Sequence, residues 1–525
     1  MIEVIGPGKA KALVHAGAEV AFLDVREAAD YGDGHPLFVV HCPYSRIEVE
    51  AVRLVPDPDV PLLLIDGGDG IARRAAERLD ACGYRDIRVI EGGVPAWRAA
   101  GFGVFAGVNV PSKTLGEIAE HDHHPDMIDP QTLHQWRSEG RRFHFFDTRP
   151  PAEYGKMRIP GARCLPNGEL AHRLDAVVSD ESTPILVTCA GRTRGIVGAL
   201  GLRALGIRNP VYALRNGTQG WALADFTLER GASADPFPEL DGKARAASRA
   251  RAARLKEGGV SFVPAARAAQ MYGEGGRASF LFDLRTSEER DRRPCPGAVP
   301  VLGGQLVQAT DLYVGVRHAR LILIDDTGLR GALAALWLNG LGFEAHVVAL
   351  DEESAAPDIR RDRPAPVPPA PPGRISVAQA IDALKHPATA LFDLRPSNEH
   401  EAGHPRGAVW SIRQRLPRDI PAGAEVVILF GDRGAVTGAG VDLAGSGRRV
   451  FWLDAGLSAC AGAGWPVETS APMDRRTAVD RVWFVHDRHD GNRAASLRYL
   501  AWETGLVAEL DADERAEFRP IRLPE

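Results

Sequence analysis

The sequence lacks three features that would each indicate a class of protein directly: paired CxxC cysteines, a long apolar run and an apolar leader. No stretch of about 18 apolar residues occurs, and the start MIEVIGPGKAKALVHAG has no cationic segment followed by an apolar one. A membrane span and a secretion signal are therefore not expected, and we predict a cytoplasmic protein. Scattered cysteines exclude a disulfide framework and a zinc knuckle. The six are Cys42, Cys82, Cys164, Cys189, Cys295 and Cys460.

An excess of charge of either sign is also missing. The 525 residues carry 63 Lys and Arg against 69 Asp and Glu, which gives a formal net charge of -6. This balance argues against nucleic acid and membrane partners. Two short histidine clusters, at residues 121–125 and 486–490, have no second ligand group at a recognisable spacing, so we expect neither a metal nor another cofactor.

What the sequence does contain is a repeat. A short apolar strand that ends in Asp-x-Arg occurs four times, at Asp24, Asp147, Asp283 and Asp393. A second apolar strand follows each after about 40 residues. Repeats 1 and 2 align without a gap at an offset of 123 residues, which pairs Asp66 with Cys189, and repeats 2 and 3 align at 136 residues. Repeat 4 lies at an offset of 246 residues from repeat 2, but its second strand begins about five residues earlier than that offset predicts.

Strands and helices alternate through the chain, which predicts an α/β protein of four tandem domains. Each domain is a small parallel sheet flanked by helices, with its ligand site at the carboxyl ends of the strands. A Pro-rich run at 361–374 is typical of a stiff linker. The predicted boundaries are 1–106, 107–235, 236–357 with a basic helical lead-in, 358–374 for the linker, 375–470, and 471–525 for a C-terminal tail of two short helices.

One loop carries the chemical signal. In ILVTCAGRTRGIVGAL a buried strand is followed by Cys189, a turn and a helix start. Backbone N–H groups from Ala190 to Gly195 and the positive end of the helix would surround the sulfur, so the thiolate is expected to be favoured. Arg192 and Arg194 add planar cations suited to a doubly charged oxyanion. The other five cysteines are expected to be inert core residues.

The strings DTRPPAEY, IPGA and CAGRTR together resemble a rhodanese domain, and four such repeats resemble the tandem-rhodanese sulfurtransferases of bacteria. The resemblance implies that Cys189 carries a persulfide and that Asp147 and Arg149 are chiefly architectural. Arg158 departs from the family, because it stands where many members have a histidine before IPGA, and we expect it to take a supporting role at the site. The resemblance also implies a set of donor-binding loop residues, namely Ala190, Gly191, Arg192, Thr193 and Arg194.

These observations predict a thiosulfate sulfurtransferase that works by double displacement. The Cys189 thiolate would take the outer sulfur of thiosulfate or of a related persulfide donor and pass it to a thiol or cyanide; a protein acceptor is a further candidate partner. The loops at Asp66, Asp325 and Gly431 contain no cysteine, so repeats 1, 3 and 4 are expected to be inactive. No sequence feature assigns a role to the tail.

Two other functions compete with this prediction. A related cysteine phosphatase would place five residues between its cysteine and its arginine, whereas Cys189 and Arg194 enclose four, which favours sulfur over a phosphoryl group. A noncatalytic scaffold or redox sensor is the third interpretation, because three repeats have no thiol at this position.

Overall fold

The computed structural model describes residues 2–350, 359 and 365–524. Part of the predicted linker, residues 358 and 360–364, lies outside them. Four small parallel sheets with flanking helices follow one another along the chain, which confirms the predicted fold class. Among the described residues, no helix combines the length and the apolarity needed to cross a bilayer.

All four sheets have the same strand order. The first strand of the repeat lies at one edge beside the last strand, and the Asp-x-Arg strand pairs with the strand that precedes the Cys189-type loop. In repeat 1 the order is β1-β5-β4-β2-β3. Its elements are β1 Glu3–Ile5, α1 Pro7–Val14, β2 Val20–Asp24, α2 Ala28–Asp33, β3 Val40–His41, α3 Ile47–Leu54, β4 Leu62–Ile65, α4 Ile71–Ala81, β5 Ile87–Ile90 and α5 Gly93–Ala99.

Repeat 2 has the order β6-β10-β9-β7-β8 and begins with a long helix, α6. Its elements are α6 Val110–His123, β6 Met127–Ile128, α7 Pro130–Ser138, β7 His144–Asp147, α8 Pro151–Lys156, β8 Arg163–Cys164, α9 Glu169–His172, α10 Leu174–Val177, β9 Ile185–Thr188, α11 Thr193–Ala204, β10 Val211–Leu214 and α12 Gly217–Leu223.

Repeat 3 has the order β11-β16-β15-β12-β13, and α13 contains the basic lead-in. Its elements are α13 Gly242–Glu257, β11 Ser261–Phe262, α14 Ala265–Gly273, β12 Ser279–Asp283, α15 Ser287–Arg292, β13 Val299–Pro300, α16 Gly303–Gln308, β14 Val316–Arg317, β15 Arg320–Asp325, α17 Leu329–Gly340 and β16 Glu344–Ala349.

Repeat 4 has the order β17-β22-β21-β18-β20, with β19 and β23 as a separate antiparallel pair; β17 falls within the Pro-rich segment. Two α-helices, α23 Arg493–Gly505 and α24 Ala512–Ala516, lie in the C-terminal tail. The elements of repeat 4 are β17 Gly373–Arg374, α18 Val377–Ala383, β18 Thr389–Asp393, α19 Ser397–Ala402, β19 His404–Pro405, β20 Val409–Trp410, α20 Leu416–Asp419, β21 Val426–Phe430, α21 Arg433–Leu443, β22 Arg449–Leu453, α22 Leu457–Gly462 and β23 Val467–Glu468.

The chain folds as two compact units. One consists of Met1–Ala16, Val20–Val108 and Ala365–Phe484 and contains repeats 1 and 4. The other consists of Gly17–Glu19, Asn109–Pro364 and Val485–Glu525. This second unit contains repeats 2 and 3 together with α23 and α24, so the tail helices belong to the unit that holds Cys189.

The Asp-x-Arg pair forms the same clamp in every repeat. In repeat 2, Arg149 donates to both carboxylate oxygens of Asp147, at 2.9 and 2.6 Å, and to the Met157 carbonyl at 2.6 Å. The arginine in each repeat reaches the carbonyl eight residues further on, so the clamp ties the strand end to the chain that leaves α8 or its counterpart. The other three carbonyls are those of Gly34, Arg293 and Gly403.

We predict that Arg285→Ala, which removes the clamp of repeat 3, lowers the free energy of unfolding by about 3–5 kcal/mol. Asp283 is 1% exposed, so the substitution leaves a carboxylate buried without its cation. Urea denaturation followed by circular dichroism measures the change. Arg292→Ala, whose ion pair with Glu239 is largely exposed, is the control and should change stability by less than about 1 kcal/mol. Equal unfolding midpoints for the two variants would contradict the prediction.

Candidate active site

Cys189 lies between the end of β9 and the start of α11, at the carboxyl edge of the sheet. All four β9 residues, Ile185–Thr188, are buried, as expected for a central parallel strand. The backbone N–H groups of Gly191 and Gly195 are directed at Sγ, and the thiol donates to the Arg192 carbonyl at 3.7 Å. The loop therefore curls around the sulfur, with the amides of Gly191 and Gly195 facing it.

The next loop along the sheet fixes the floor of the site. Gly217, with φ +50°, passes so close to the turn that a Cβ there would lie 2.2 Å from the Cys189 carbonyl oxygen. The N–H of Thr218 donates to that oxygen at 2.8 Å. Only glycine fits this approach, and the start of α12 therefore holds Cys189 in position.

The expectation of a favoured thiolate is wrong for this conformation. Cys189 is 2% exposed. Burial raises the pKa of its thiol, and the nearby Arg194 guanidinium and the Gly195 amide oppose this only in part. At neutral pH the group is a thiol, so its proton must leave before or during a nucleophilic attack.

Arg192 is held by carboxylates. It donates to Glu117 at 2.7 and 2.8 Å, also to Glu120, and to the Asn216 side chain at 3.3 Å. Burial raises the pKa of Glu117 to about 7 even though Arg192 opposes the shift. These partners already occupy the Arg192 guanidinium. Its role as a hydrogen-bond donor to an oxyanion therefore stays a prediction.

Arg194 and the remaining loop residues are also engaged. Arg194 makes a bidentate pair with Glu153, at 2.7 Å for both bonds. The Ala190 carbonyl accepts from the backbone N–H of Gln219 at 3.1 Å. Thr193 donates its hydroxyl to Glu503 at 2.8 Å. The loop is thus braced by groups from both ends of the second compact unit.

Three buried groups near the loop gave no sequence signal: Lys113 of α6, and Tyr499 and Glu503 of α23. A Cβ at Gly191 would lie 3.1 Å from the Tyr499 ring and 3.2 Å from Glu503 Oε2, so α23 covers the loop closely. Burial lowers the pKa of Lys113 to about 8, although Glu503 opposes the shift. The missing signal has a simple reason: 310 residues separate Thr193 from Glu503.

Arg158 takes no part in the contacts of the Cys189 loop that are described above. It donates to Glu229 at 2.7 Å and to the Tyr154 hydroxyl at 2.8 Å. These bonds tie the Arg158–Glu229 bridge to α8. The structure therefore gives Arg158 a local packing role and leaves its predicted supporting role a prediction.

The corresponding loop of repeat 1 holds a carboxylate where repeat 2 has the thiol. Asp66 accepts the N–H of Gly68 at 2.8 Å and the N–H of Ala72 at 2.9 Å. At the offset of 123 residues, these two amides correspond to those of Gly191 and Gly195. The same pair of amides therefore holds an anion in repeat 1 and faces the sulfur in repeat 2.

The loop of repeat 3 is filled by an internal ion-pair network. Asp325 accepts the N–H groups of Asp326 and Arg330 at 2.9 Å each, and Arg330 is 1% exposed. The Arg330 guanidinium also binds Asp326, Glu169 and Glu289. In repeat 4, Asp432 caps α21 by accepting from Gly434 at 2.8 Å.

A histidine and two carboxylates meet beside this network. His172, Glu289 and Asp326 place ligand-type atoms within 4.8 Å of one another, although none of them belongs to either histidine cluster of the sequence. Burial and the Arg330 charge lower the pKa of His172 to about 3. Arg330 binds both carboxylates and Arg173 binds Glu289, so the group is an ion-pair network that already contains cations.

We predict that Cys189 reacts slowly with iodoacetamide at pH 7 in the folded protein. Each unit by which the thiol pKa is raised lowers the thiolate fraction at pH 7 about tenfold. The alkylation rate should therefore keep increasing above a pH of about 8.5, the pKa of an ordinary thiol. Mass spectrometry of the peptide that contains Cys189 measures alkylation against pH, with the urea-unfolded protein as control. Faster alkylation in the folded protein at pH 7 would contradict the raised pKa.

Comparisons with known proteins agree with this geometry. The family model described as "Rhodanese-like domain" matches residues 7–100 and 129–224. The chain is similar to a crystal structure of thiosulfate sulfurtransferase from Pseudomonas aeruginosa, at 36% identity and a TM-score of 0.90; the match covers 99% of this chain and 100% of that one.

Curated relatives point the same way. Proteins from two strains of Mycobacterium tuberculosis, each named "Putative thiosulfate sulfurtransferase SseB", are 26% identical over 210 residues. The match covers 33% of this chain and 70% of each relative. Together with the full-length structural match, these relatives show that the chain belongs to the rhodanese family of sulfurtransferases.

Proposed function

We propose that this chain moves a sulfane sulfur from thiosulfate or a related persulfide donor, by way of a persulfide on Cys189, to a thiol or cyanide acceptor. The observation that carries the proposal is the shared pair of amides. In repeat 1 they hold the Asp66 carboxylate, and in repeat 2 they face a sulfur atom that can itself become anionic. A persulfide anion or a donor oxyanion satisfies those amides as the carboxylate does.

The transfer consists of two displacements. In the first, the Cys189 sulfur attacks the outer sulfur of thiosulfate, a new S–S bond forms, and the old bond breaks with its electron pair leaving on sulfite. In the second, the acceptor attacks the terminal sulfur and the Cys189 thiolate leaves. The amides of Gly191 and Gly195 stabilise negative charge in both steps.

The positive charge for a dianionic donor comes mainly from these amides and the start of α11. Arg192 and Arg194 are each paired with carboxylates, so they shape the loop as much as they attract anions. The donor is thus bound at the helix N-terminus, with the two arginines as partly neutralised walls.

We predict that the parent protein forms thiocyanate from thiosulfate and cyanide and that Cys189→Ala abolishes this activity, because no other group in the loop can hold the sulfur. A colorimetric thiocyanate assay measures it, beside intact-mass detection of one added sulfur atom. Cys164→Ala removes a buried thiol from the same repeat and should keep the activity.

A phosphoester substrate is run in parallel with these variants. Hydrolysis that depends on Cys189 would favour the phosphatase, and no turnover of either substrate would favour a noncatalytic scaffold. Either result contradicts the proposal.

Repeats 1, 3 and 4 are proposed to be inactive, and repeat 3 has a reason for this beyond the missing thiol. We predict that Asp325→Cys, made in the Cys189→Ala protein, gains no persulfide. Arg330 would keep Asp326, Glu169 and Glu289 as partners and would still fill the loop. Intact mass after exposure to thiosulfate tests this, and a sulfur adduct on the doubly substituted protein would show that the thiol alone was lacking.

A further inference from the structure

A buried thiol needs a group that removes its proton. Cys189 is 2% exposed, and burial raises the pKa of its thiol. Neither loop arginine can act as a base, and their carboxylate partners, Glu117 and Glu153, are engaged in ion pairs. A neighbouring group that is not held in one of these ion pairs is therefore the better candidate for the proton acceptor.

Glu503 of α23 has the required position. Its side chain is buried, and Oε1 accepts the Thr193 hydroxyl at 2.8 Å. Its other oxygen, Oε2, is buried and has no hydrogen-bond partner among the described residues. A Cβ built at Gly191 would lie 3.2 Å from Oε2, and the amide of the same glycine faces Sγ. The open carboxylate oxygen and the sulfur thus both lie beside Gly191.

His489 is the other candidate, because its Nδ1 is also buried without a hydrogen-bond partner in the described part of the chain. Burial and the neighbouring Arg488 lower its pKa to about 4. Its charged neighbours are Arg149, Glu153 and Arg194, whereas Glu503 is one of the charges that act directly on the Cys189 thiol. The geometry favours the carboxylate.

We propose that Glu503 accepts the proton of Cys189 as the sulfur attacks the donor and returns it when the persulfide is discharged. In the first step, the Glu503 carboxylate, the Cys189 thiol and thiosulfate give a Glu503 carboxylic acid, a Cys189 persulfide anion and sulfite. In the second step, cyanide takes the terminal sulfur as thiocyanate, and the acid returns its proton to the Cys189 thiolate. Charge and atoms balance in both steps, and the idea rests on the proposed sulfur transfer.

Several charged and titratable groups are packed around Glu503. Lys113 and Glu117 face it from α6, Arg192 and Cys189 from the loop, and Tyr499 from its own helix. Lys113 and Arg192 supply positive charge, while Glu117 opposes it. A pH profile therefore reports the whole group, and the test needs variants that change Glu503 alone.

The test uses Glu503→Gln in the full chain. Glutamine keeps an oxygen for the Thr193 hydroxyl but accepts no proton, so persulfide formation from thiosulfate at pH 7 should slow on the order of 100-fold. The deficit should shrink as pH rises, because hydroxide then ionises the thiol. Rapid-quench intact mass measures the step. Glu509→Gln, which removes an exposed carboxylate from the same tail, is the matched control and should react at the parent rate.

Glu503→Ala provides a second readout, because formate can occupy the vacated space and act as the base. Recovery of the rate with formate, or with alkaline pH in Glu503→Gln, supports proton transfer. A Glu503→Gln rate equal to the parent rate, or a loss in both variants that neither treatment restores, overturns the inference. If the parent and Glu509→Gln proteins themselves form no persulfide, the proposed sulfur transfer fails instead.

Discussion

A turn between a buried parallel strand and a helix directs several backbone N–H groups at one point, and that point needs an electron-rich occupant. Each described repeat supplies one. Asp66, Asp325 and Asp432 each accept backbone N–H groups of this turn in repeats 1, 3 and 4, although only those of repeat 1 correspond to Gly191 and Gly195; repeat 2 places the Cys189 sulfur there. A turn at the same place in the fold is thus closed by a carboxylate in three repeats and carries a reactive thiol in repeat 2.

The Asp-x-Arg clamp explains how this turn is kept in register across repeats of diverged sequence. Each arginine neutralises a buried aspartate and also holds a carbonyl eight residues away, so it fixes the strand end from two directions. Losing either partner would leave an uncompensated charge in the interior. The clamp therefore makes the loop a rigid platform whose occupant can change without altering the sheet.

Much of the fold follows from local sequence, because strand and helix periodicity repeats at fixed offsets and parallel sheets place loops at one edge. The position of Cys189 and the direction of its amides were predictable for that reason. The direction of the pKa shift was not predictable, since it depends on burial of the sulfur, and α23, which covers the loop, lies outside the strand-turn-helix motif. The pairing of Arg192 with Glu117 and of Thr193 with Glu503 likewise depends on contacts across 75 and 310 residues.

The composition of the loop alone suggested a strongly positive cradle, yet its arginines face carboxylates. The attraction of an anion then depends on backbone dipoles. These dipoles do not titrate, and they lose no side-chain entropy when an anion binds. The side-chain charges around these dipoles largely cancel, because Arg192 and Arg194 are paired with Glu117 and Glu153. Removal of one of these carboxylates would therefore leave an unbalanced positive charge near the sulfur.

The position of α23 also has a consequence for the order of assembly. During synthesis the sheet of repeat 2 emerges and can fold with its sulfur uncovered, while Tyr499 and Glu503 are still to be translated. The wall of the site is thus added last, after repeats 3 and 4 have left the ribosome. A nascent chain passes through a stage in which the thiol lacks the cover of α23 and the carboxylate of Glu503 does not yet exist.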